Sequence, residues 1–198
     1  MEYSLKYKFY GNILTNTIES YIPNKTTQKD ILSKYQRVIK DSKEIGSRNQ
    51  MVLFYALSAY YIAMNKCDNL TAEENYHILA GALQNDWLFR TMVGTAKSHL
   101  SEKALKKRAS WAKQTRRRRY QNDWVVDVLP CTDEYDVGYD FLACGSCKLC
   151  KAENCPELTH YLCNLHYLLL DFTGIQVDRT TTLAQGFKKC DFRLKKPS

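Results

Sequence analysis

The sequence predicts an α+β fold, in which N-terminal helices precede a ββααββ unit with a four-stranded antiparallel sheet. Apolar residues before position 122 recur at helical spacings of three and four. After that point, short runs rich in β-branched residues alternate and end at turn residues. Two hairpins that flank a helical segment favour one antiparallel sheet with helices packed against it. We therefore divide the chain into a helical half, residues 1–122, and a cysteine-rich α+β half, residues 123–198.

The helical half is expected to contain four helices. They are predicted over residues 28–43, 48–65, 71–93 and 102–118. In the first, Ile31, Tyr35 and Val38 share one face. The second is apolar on most sides and should therefore be central. The third begins at Thr71, which forms a capping-box pattern with Glu74.

The second half is expected to alternate between strands and helices. Strands are predicted over 124–129, 135–143, 175–183 and 189–195, and helices over 145–154 and 156–174. On the last strand, Cys190 alternates onto the same face as Phe192 and Leu194, so its thiol should point toward the core.

Composition is that of a globular protein, with 44% hydrophobic and 25% charged residues in 198. The N-terminus carries no apolar signal-peptide core, so we expect a cytoplasmic protein without membrane association. Seven of the 8 cysteines lie between Cys131 and Cys190. In a reducing compartment, catalysis, metal binding or burial explains such cysteines better than disulfides do.

The densest cysteine pattern is C-x2-C-x2-C-x4-C-P, formed by Cys144, Cys147, Cys150 and Cys155. It differs by one residue from the ferredoxin-type run that ligates an iron–sulfur cluster. Zinc or an iron–sulfur cluster is therefore one interpretation. The other, which we favour, is that these thiols pack in the core and that the protein needs no cofactor.

Two further constellations could carry chemistry. Cys163 and His166 are three residues apart on a predicted helix, so the imidazole could activate the thiol as a nucleophile. The alternative is a buried thiol beside a satisfied histidine. Arg179 and Thr181 share one face of a predicted strand, with Thr182 next to them, and could hold a substrate carboxylate. The alternative there is an ion pair of Arg179 with Asp191 or Asp178.

The C-terminal motif series resembles the L-2-amino-thiazoline-4-carboxylic acid hydrolase family. The resemblance rests on Cys144, an E-L helix ending in Cys163, the R-T-T-T-L-A-x-G turn from Arg179, and the C-D-F-R strand from Cys190. It covers about residues 124–194. The chain departs from the family where His166 replaces a common aspartate, and in its additional cysteines.

The resemblance implies a cytoplasmic bacterial hydrolase that opens a small cyclic amidine, as in conversion of the 2-aminothiazoline ring to N-carbamoyl-cysteine. We expect it to act on carbon–nitrogen bonds. Cys163 is the first candidate nucleophile, with His166 as its base, and Cys144 and Cys190 are further catalytic candidates. Arg179, with Thr181 and Thr182, would bind a carboxylate-bearing substrate.

A different class of function is also open at this point. The same order of elements resembles vinyl-reductase-type domains, which bind small molecules, so a non-enzymatic sensor that forms a homodimer is the alternative. The basic run Arg116–Arg119 adds to the net charge of +8. Such runs are more typical of a solvated helix face than of a nucleic-acid site, so we expect no nucleic-acid partner.

Overall fold

The chain folds into helices followed by a four-stranded antiparallel sheet, which confirms the predicted α+β class. The computed structural model describes residues 4–46, 50–67 and 70–197. The helices are α1 (Leu5–Thr17), α2 (Lys25–Asp41), α3 (Val52–Asn65), α4 (Ala72–Asn85), α5 (Trp87–Val93), α6 (Ala96–Leu100), α7 (Glu102–Thr115), α8 (Gly145–Ala152) and α9 (Thr159–Asp171). The strands are β1 (Val125–Leu129), β2 (Val137–Ala143), β3 (Gln176–Asp178) and β4 (Cys190–Lys195).

The strand order is β1–β2–β4–β3, and every neighbouring pair is antiparallel. Phe141 near the end of β2 pairs with Cys190 at the start of β4. Because β2 leads directly into Cys144, this register brings the Cys144 and Cys190 backbones to the same end of the sheet. Along β4, Cys190, Phe192 and Leu194 are buried, as the alternation predicts.

Helix α3 lies at the centre of the helical half, as its apolar character predicts. Its residues are buried continuously from Phe54 to Met64. The core cluster to which they belong includes Tyr7 at one end of the chain and Leu194 at the other. A buried contact between the hydroxyls of Ser58 and Ser146, 2.7 Å apart, fixes α3 against the first turn of α8.

The helical half contains elements that the apolar pattern did not predict. Helices α1 and α6 lie outside the four predicted segments. The predicted helix over 71–93 begins with the expected capping box, but it divides into α4 and α5. The division occurs at Asp86, whose extended backbone ends α4 and whose carboxylate accepts from Phe89 N–H to cap α5. The first two residues of the predicted helix over 48–65 lie outside the described residues.

The predicted strand over 175–183 is the main error in the C-terminal half. Strand β3 ends at Asp178, and the chain continues as a loop with a short 3-10 turn over Leu183–Gln185. Arg179 and Thr181 therefore do not share a strand face. Within the described part of the chain, no helix has both the length and the apolar character that crossing a bilayer requires.

Candidate active site

The first turn of α8 presents Cys144 at the N-cap position, with an extended backbone at φ −117° and ψ 122°. The turn approaches the rest of the protein closely at Gly145, where a Cβ atom would lie 2.5 Å from the backbone oxygen of Asn122. Only glycine permits this approach. Cys147, three residues further along, occupies the third helical position, but the Cys144 side chain accepts no capping hydrogen bond.

The Cys144 thiol is the most acidic of the clustered thiols that lie near the sheet end. The neighbouring Cys147 thiol and the first-turn backbone N–H groups of Cys147 and Ser146 lower the pKa of Cys144 to about 7 against the effect of burial. The same pairing raises the pKa of Cys147, which remains the protonated partner. A thiolate at a helix N-terminus is the form of cysteine that acts as a nucleophile.

Cys163 and His166 lie one turn apart on α9, but their side chains form no hydrogen bond with each other. The His166 ring instead stacks on Phe54, with centroids 3.7 Å apart, and meets Phe192 edge-on at 5.4 Å. Its Nδ1 is buried without a hydrogen-bond partner among the described residues. Burial and the nearby Arg179 charge lower the pKa of His166 to about 3, so the ring is neutral at physiological pH.

Burial raises the pKa of the two other candidate thiols, Cys163 and Cys190. It raises the pKa of Cys163 to about 12, an effect to which the charge of Cys144 adds and which Arg179 opposes. It also raises the pKa of Cys190, although the Leu183 N–H donates to the Cys190 Sγ at 3.2 Å. Both thiols are therefore protonated near pH 7, and Cys144 is the better candidate for a thiolate.

Arg179 follows β3 directly and enters the same cluster. Its guanidinium lies 4.4 Å from the centroid of the Tyr167 ring and 4.9 Å from that of Phe192. One nitrogen, Nη2, donates to the Cys163 carbonyl at 3.2 Å. The other two, Nε and Nη1, are buried and have no partner in the described part of the chain. A cation held between two rings with two unpaired donors is suited to bind an anionic oxygen.

Asp191 holds the loop that carries Arg179. Its carboxylate accepts from the backbone N–H and hydroxyl groups of both Thr180 and Thr181, at 2.6–3.1 Å. Burial alone would raise the pKa of Asp191, but these hydrogen bonds lower it to about 2. Asp191 therefore contacts the loop after Arg179 and does not neutralise the guanidinium.

The two threonines predicted to bind substrate are engaged within the protein. The Thr181 hydroxyl donates to Asp191 at 2.8 Å. The Thr182 hydroxyl caps the 3-10 turn, accepting from Gln185 N–H at 3.2 Å and donating to the Gln185 side chain at 2.9 Å. In the structure these side chains shape the loop beside Arg179, and their hydroxyls are already occupied.

The four cysteines of the C-x2-C-x2-C-x4-C run form two pairs. Cys144 pairs with Cys147, and Cys150 pairs with Cys155. The second pair is buried, and the Cys155 N–H donates to the Cys150 carbonyl at 2.9 Å. The residues that the structure describes hold no group of three or more His, Cys, Asp or Glu side chains arranged to bind a metal.

Some residues of the cluster were not singled out from the sequence. Phe54 stacks on His166 from the helical half of the chain, far away in sequence. Asp191 was predicted only as an alternative ion-pair partner for Arg179. The clue to its role was the density of hydroxyl residues after Arg179, since threonine and aspartate side chains readily bond to nearby backbone N–H groups.

The fold and this cluster define an α+β protein whose clustered cysteines lie where the sheet, α8 and α9 meet. Residues 49–194 match the L-2-amino-thiazoline-4-carboxylic acid hydrolase family, and the chain belongs to this family. The match reaches beyond the C-terminal motifs into the helical half and includes α3. Comparisons with curated proteins and with solved structures found no match.

Proposed function

We propose that the protein is a hydrolase that opens a small, carboxylate-bearing cyclic amidine such as 2-amino-thiazoline-4-carboxylate. Membership of the family supports the reaction class. The observation that carries the proposal is the Cys144 thiol, which the Cys147 thiol and two backbone N–H groups stabilise as a thiolate. The proposed nucleophile is thus Cys144, and not Cys163, because the pKa of Cys163 is raised and His166 does not contact its thiol.

The reaction begins when the Cys144 thiolate adds to the amidine carbon. A carbon–sulfur bond to the enzyme forms, and the C=N electron pair moves to the ring nitrogen, which takes a proton from water. The electron pair then re-forms the C=N bond and the ring carbon–sulfur bond breaks, which releases the substrate sulfur as a thiolate. The product remains attached to Cys144 as an isothiourea.

Water completes the reaction by adding to the same carbon. The Cys144 thiolate leaves, and a urea carbonyl forms that keeps both nitrogens, as N-carbamoyl-cysteine requires. The net change is the uptake of one water molecule. For this product, therefore, the amidine C=N bond is the one attacked, whereas the ring bond that finally breaks is carbon–sulfur and not carbon–nitrogen.

Arg179 provides the substrate anchor in this proposal. Each of its two unpaired nitrogens, Nε and Nη1, can donate to an anionic oxygen, and the Tyr167 and Phe192 rings hold the guanidinium in place. The positive charge of Arg179 also attracts an anionic substrate toward the cysteines. The same charge acts to lower the pKa of Cys163 and of Cys190.

The test is turnover of 2-amino-thiazoline-4-carboxylate by purified protein, followed by loss of ring absorbance and by mass detection of N-carbamoyl-cysteine. We expect Cys144→Ser to lose turnover and the matched variant Cys163→Ser to retain most of it. Arg179→Lys should raise KM for the carboxylate substrate but leave 2-aminothiazoline, which lacks the carboxylate, unaffected. Turnover by Cys144→Ser at a wild-type rate would contradict the assignment.

A further inference from the structure

A separate cavity of about 530 Å³ lies where the end of α7 meets the start of β1 and α8. It does not include the clustered cysteines. Cavities of this size hold small ligands. Arg117, Arg118, Arg119 and Lys148 line it, whereas Asp123 is the one carboxylate among its lining residues. The cavity wall therefore has an excess of positive charge.

The arginines in this wall differ from the neighbouring Arg116 in their lack of an ion-pair partner among the described residues. The Arg116 guanidinium forms a two-point contact with the Asp127 carboxylate and does not line the cavity. Arg117, Arg118 and Arg119 form no ion pair with a carboxylate among the described residues. Arg118 adopts a positive φ of 47°, which turns the chain sharply within the run. The run therefore contains one neutralised arginine and three that surround a concave space.

Two donors among the lining residues have incomplete hydrogen bonding. The Lys148 ammonium is half-buried and donates to the backbone carbonyl of Asp123 at 2.7 Å, and burial lowers its pKa. Trp111 is 8% exposed, and its indole Nε1–H has no hydrogen-bond partner among the described residues. Unpaired buried donors and unpaired cations both favour an anion.

Packing holds the aromatic and backbone part of the wall, so this part of the site does not have to form on binding. The Tyr120 ring packs so closely on Gly46 that a Cβ there would lie 3.0 Å from it. Trp124 is 1% exposed, and the Val126 N–H donates to the Thr115 hydroxyl at 3.2 Å. Preformed walls reduce the ordering cost of binding.

We propose that this cavity is a binding site for a compact phosphate-bearing anion, distinct from the cysteine cluster and independent of the proposed hydrolase activity. Guanidinium groups grip phosphate through paired N–H donors, and the concave shape favours a ligand smaller than a nucleic-acid strand.

The experiment measures binding of inorganic pyrophosphate by calorimetry, with tryptophan fluorescence as a second signal because Trp111 and Trp124 line the cavity. We expect saturable binding that weakens as salt rises. Arg117→Gln/Arg119→Gln should weaken it about tenfold or more, because the double variant removes two charged groups that donate to the phosphate oxygens. The matched control Arg116→Gln should change affinity less than about twofold, because this side chain lies outside the cavity.

Three outcomes would overturn the proposal. One is the absence of saturable pyrophosphate binding by the wild-type protein. Another is an equal loss of affinity in Arg116→Gln and in the double variant, which would indicate a diffuse charge effect. The last is displacement of pyrophosphate by a short DNA duplex at physiological salt, which would make this face a nucleic-acid interface. Circular dichroism of both variants checks that they are folded.

Discussion

Replacing Cys147 with alanine should raise the pKa of Cys144 and thereby reduce its reactivity at neutral pH. The Cys147 thiol is the largest influence that holds the pKa of Cys144 at about 7. A hydrogen bond to a charged group contributes about 1.5–3 kcal/mol, which corresponds to a rise of about one to two pKa units. The thiolate fraction at pH 7 would then fall about 5- to 50-fold.

The assay is alkylation by iodoacetamide across a range of pH, with the modified Cys144 peptide quantified by mass spectrometry. The matched variant Cys147→Ser keeps a hydrogen-bond donor at the same place, so its rate should remain within about threefold of wild type. The alanine variant should recover its rate above about pH 9. A wild-type Cys144 that titrates near the ordinary thiol value of about 8.5, or an alanine variant with an unchanged curve, would refute the reasoning.

Three further predictions concern pH, the loop and the α8 turn. The kcat/KM profile should rise through pH 7 as Cys144 ionises. It should show no histidine step between pH 5 and 8, because the pKa of His166 is about 3. A step in this range that disappears in His166→Asn would contradict the prediction. Asp191→Ala should lower the free energy of unfolding in urea by about 2–4 kcal/mol and raise KM. Asp191→Asn should keep most of the wild-type stability and a KM close to that of wild type. Folding depresses the pKa of Asp191 to about 2. The stabilisation of the fold by the Asp191 carboxylate should therefore be complete above about pH 4 and be lost as the pH falls toward 2. Equal stability of Asp191→Ala and wild type at pH 7 would count against this role. In thermal unfolding, Gly145→Ala should lower the free energy of unfolding by about 1–3 kcal/mol, and it should also raise the pKa of Cys144. The control is Gly81→Ala, a helical position where the added Cβ meets Tyr21 at an ordinary 3.5 Å. This control should be neutral or stabilising in the same assay.

Local patterns predicted those parts of the fold that depend on local forces. The spacing of Ile31, Tyr35 and Val38 correctly identified the buried face of α2. The Thr71–Glu74 capping box marked the start of α4, and alternation along β4 identified its buried side. In each of these cases, hydrogen bonding or burial is decided within a few residues of chain.

Tertiary contacts decided the features that local patterns missed. The chain after Asp178 has alternating character, but Asp191 on β4 captures the backbone N–H groups of Thr180 and Thr181, and the strand ends. Cys163 and His166 have the predicted helical spacing, yet Phe54 from α3 stacks on the imidazole, and burial together with the nearby Arg179 charge keeps the ring neutral. Spacing along a helix therefore identified neighbours correctly but could not predict which neighbour the ring contacts.

The position of Cys144 illustrates the same limit for chemical reactivity. The sequence shows two cysteines separated by two residues, a pattern shared by metal sites and thiolate nucleophiles. The deciding facts are that Cys144 occupies an N-cap and that the neighbouring Cys147 thiol lowers its pKa. Both depend on where β2 ends and α8 begins, which patterns place only to within a few residues.

The most direct test of the central claim is to identify the residue that carries substrate during turnover. Wild-type protein mixed with excess 2-amino-thiazoline-4-carboxylate is quenched in acid within a single turnover, digested and examined by mass spectrometry. The account predicts a peptide in which Cys144 has gained the mass of one substrate molecule, and no such peptide in Cys144→Ser. An adduct on Cys163 or Cys190, or full turnover without any enzyme adduct, would contradict it.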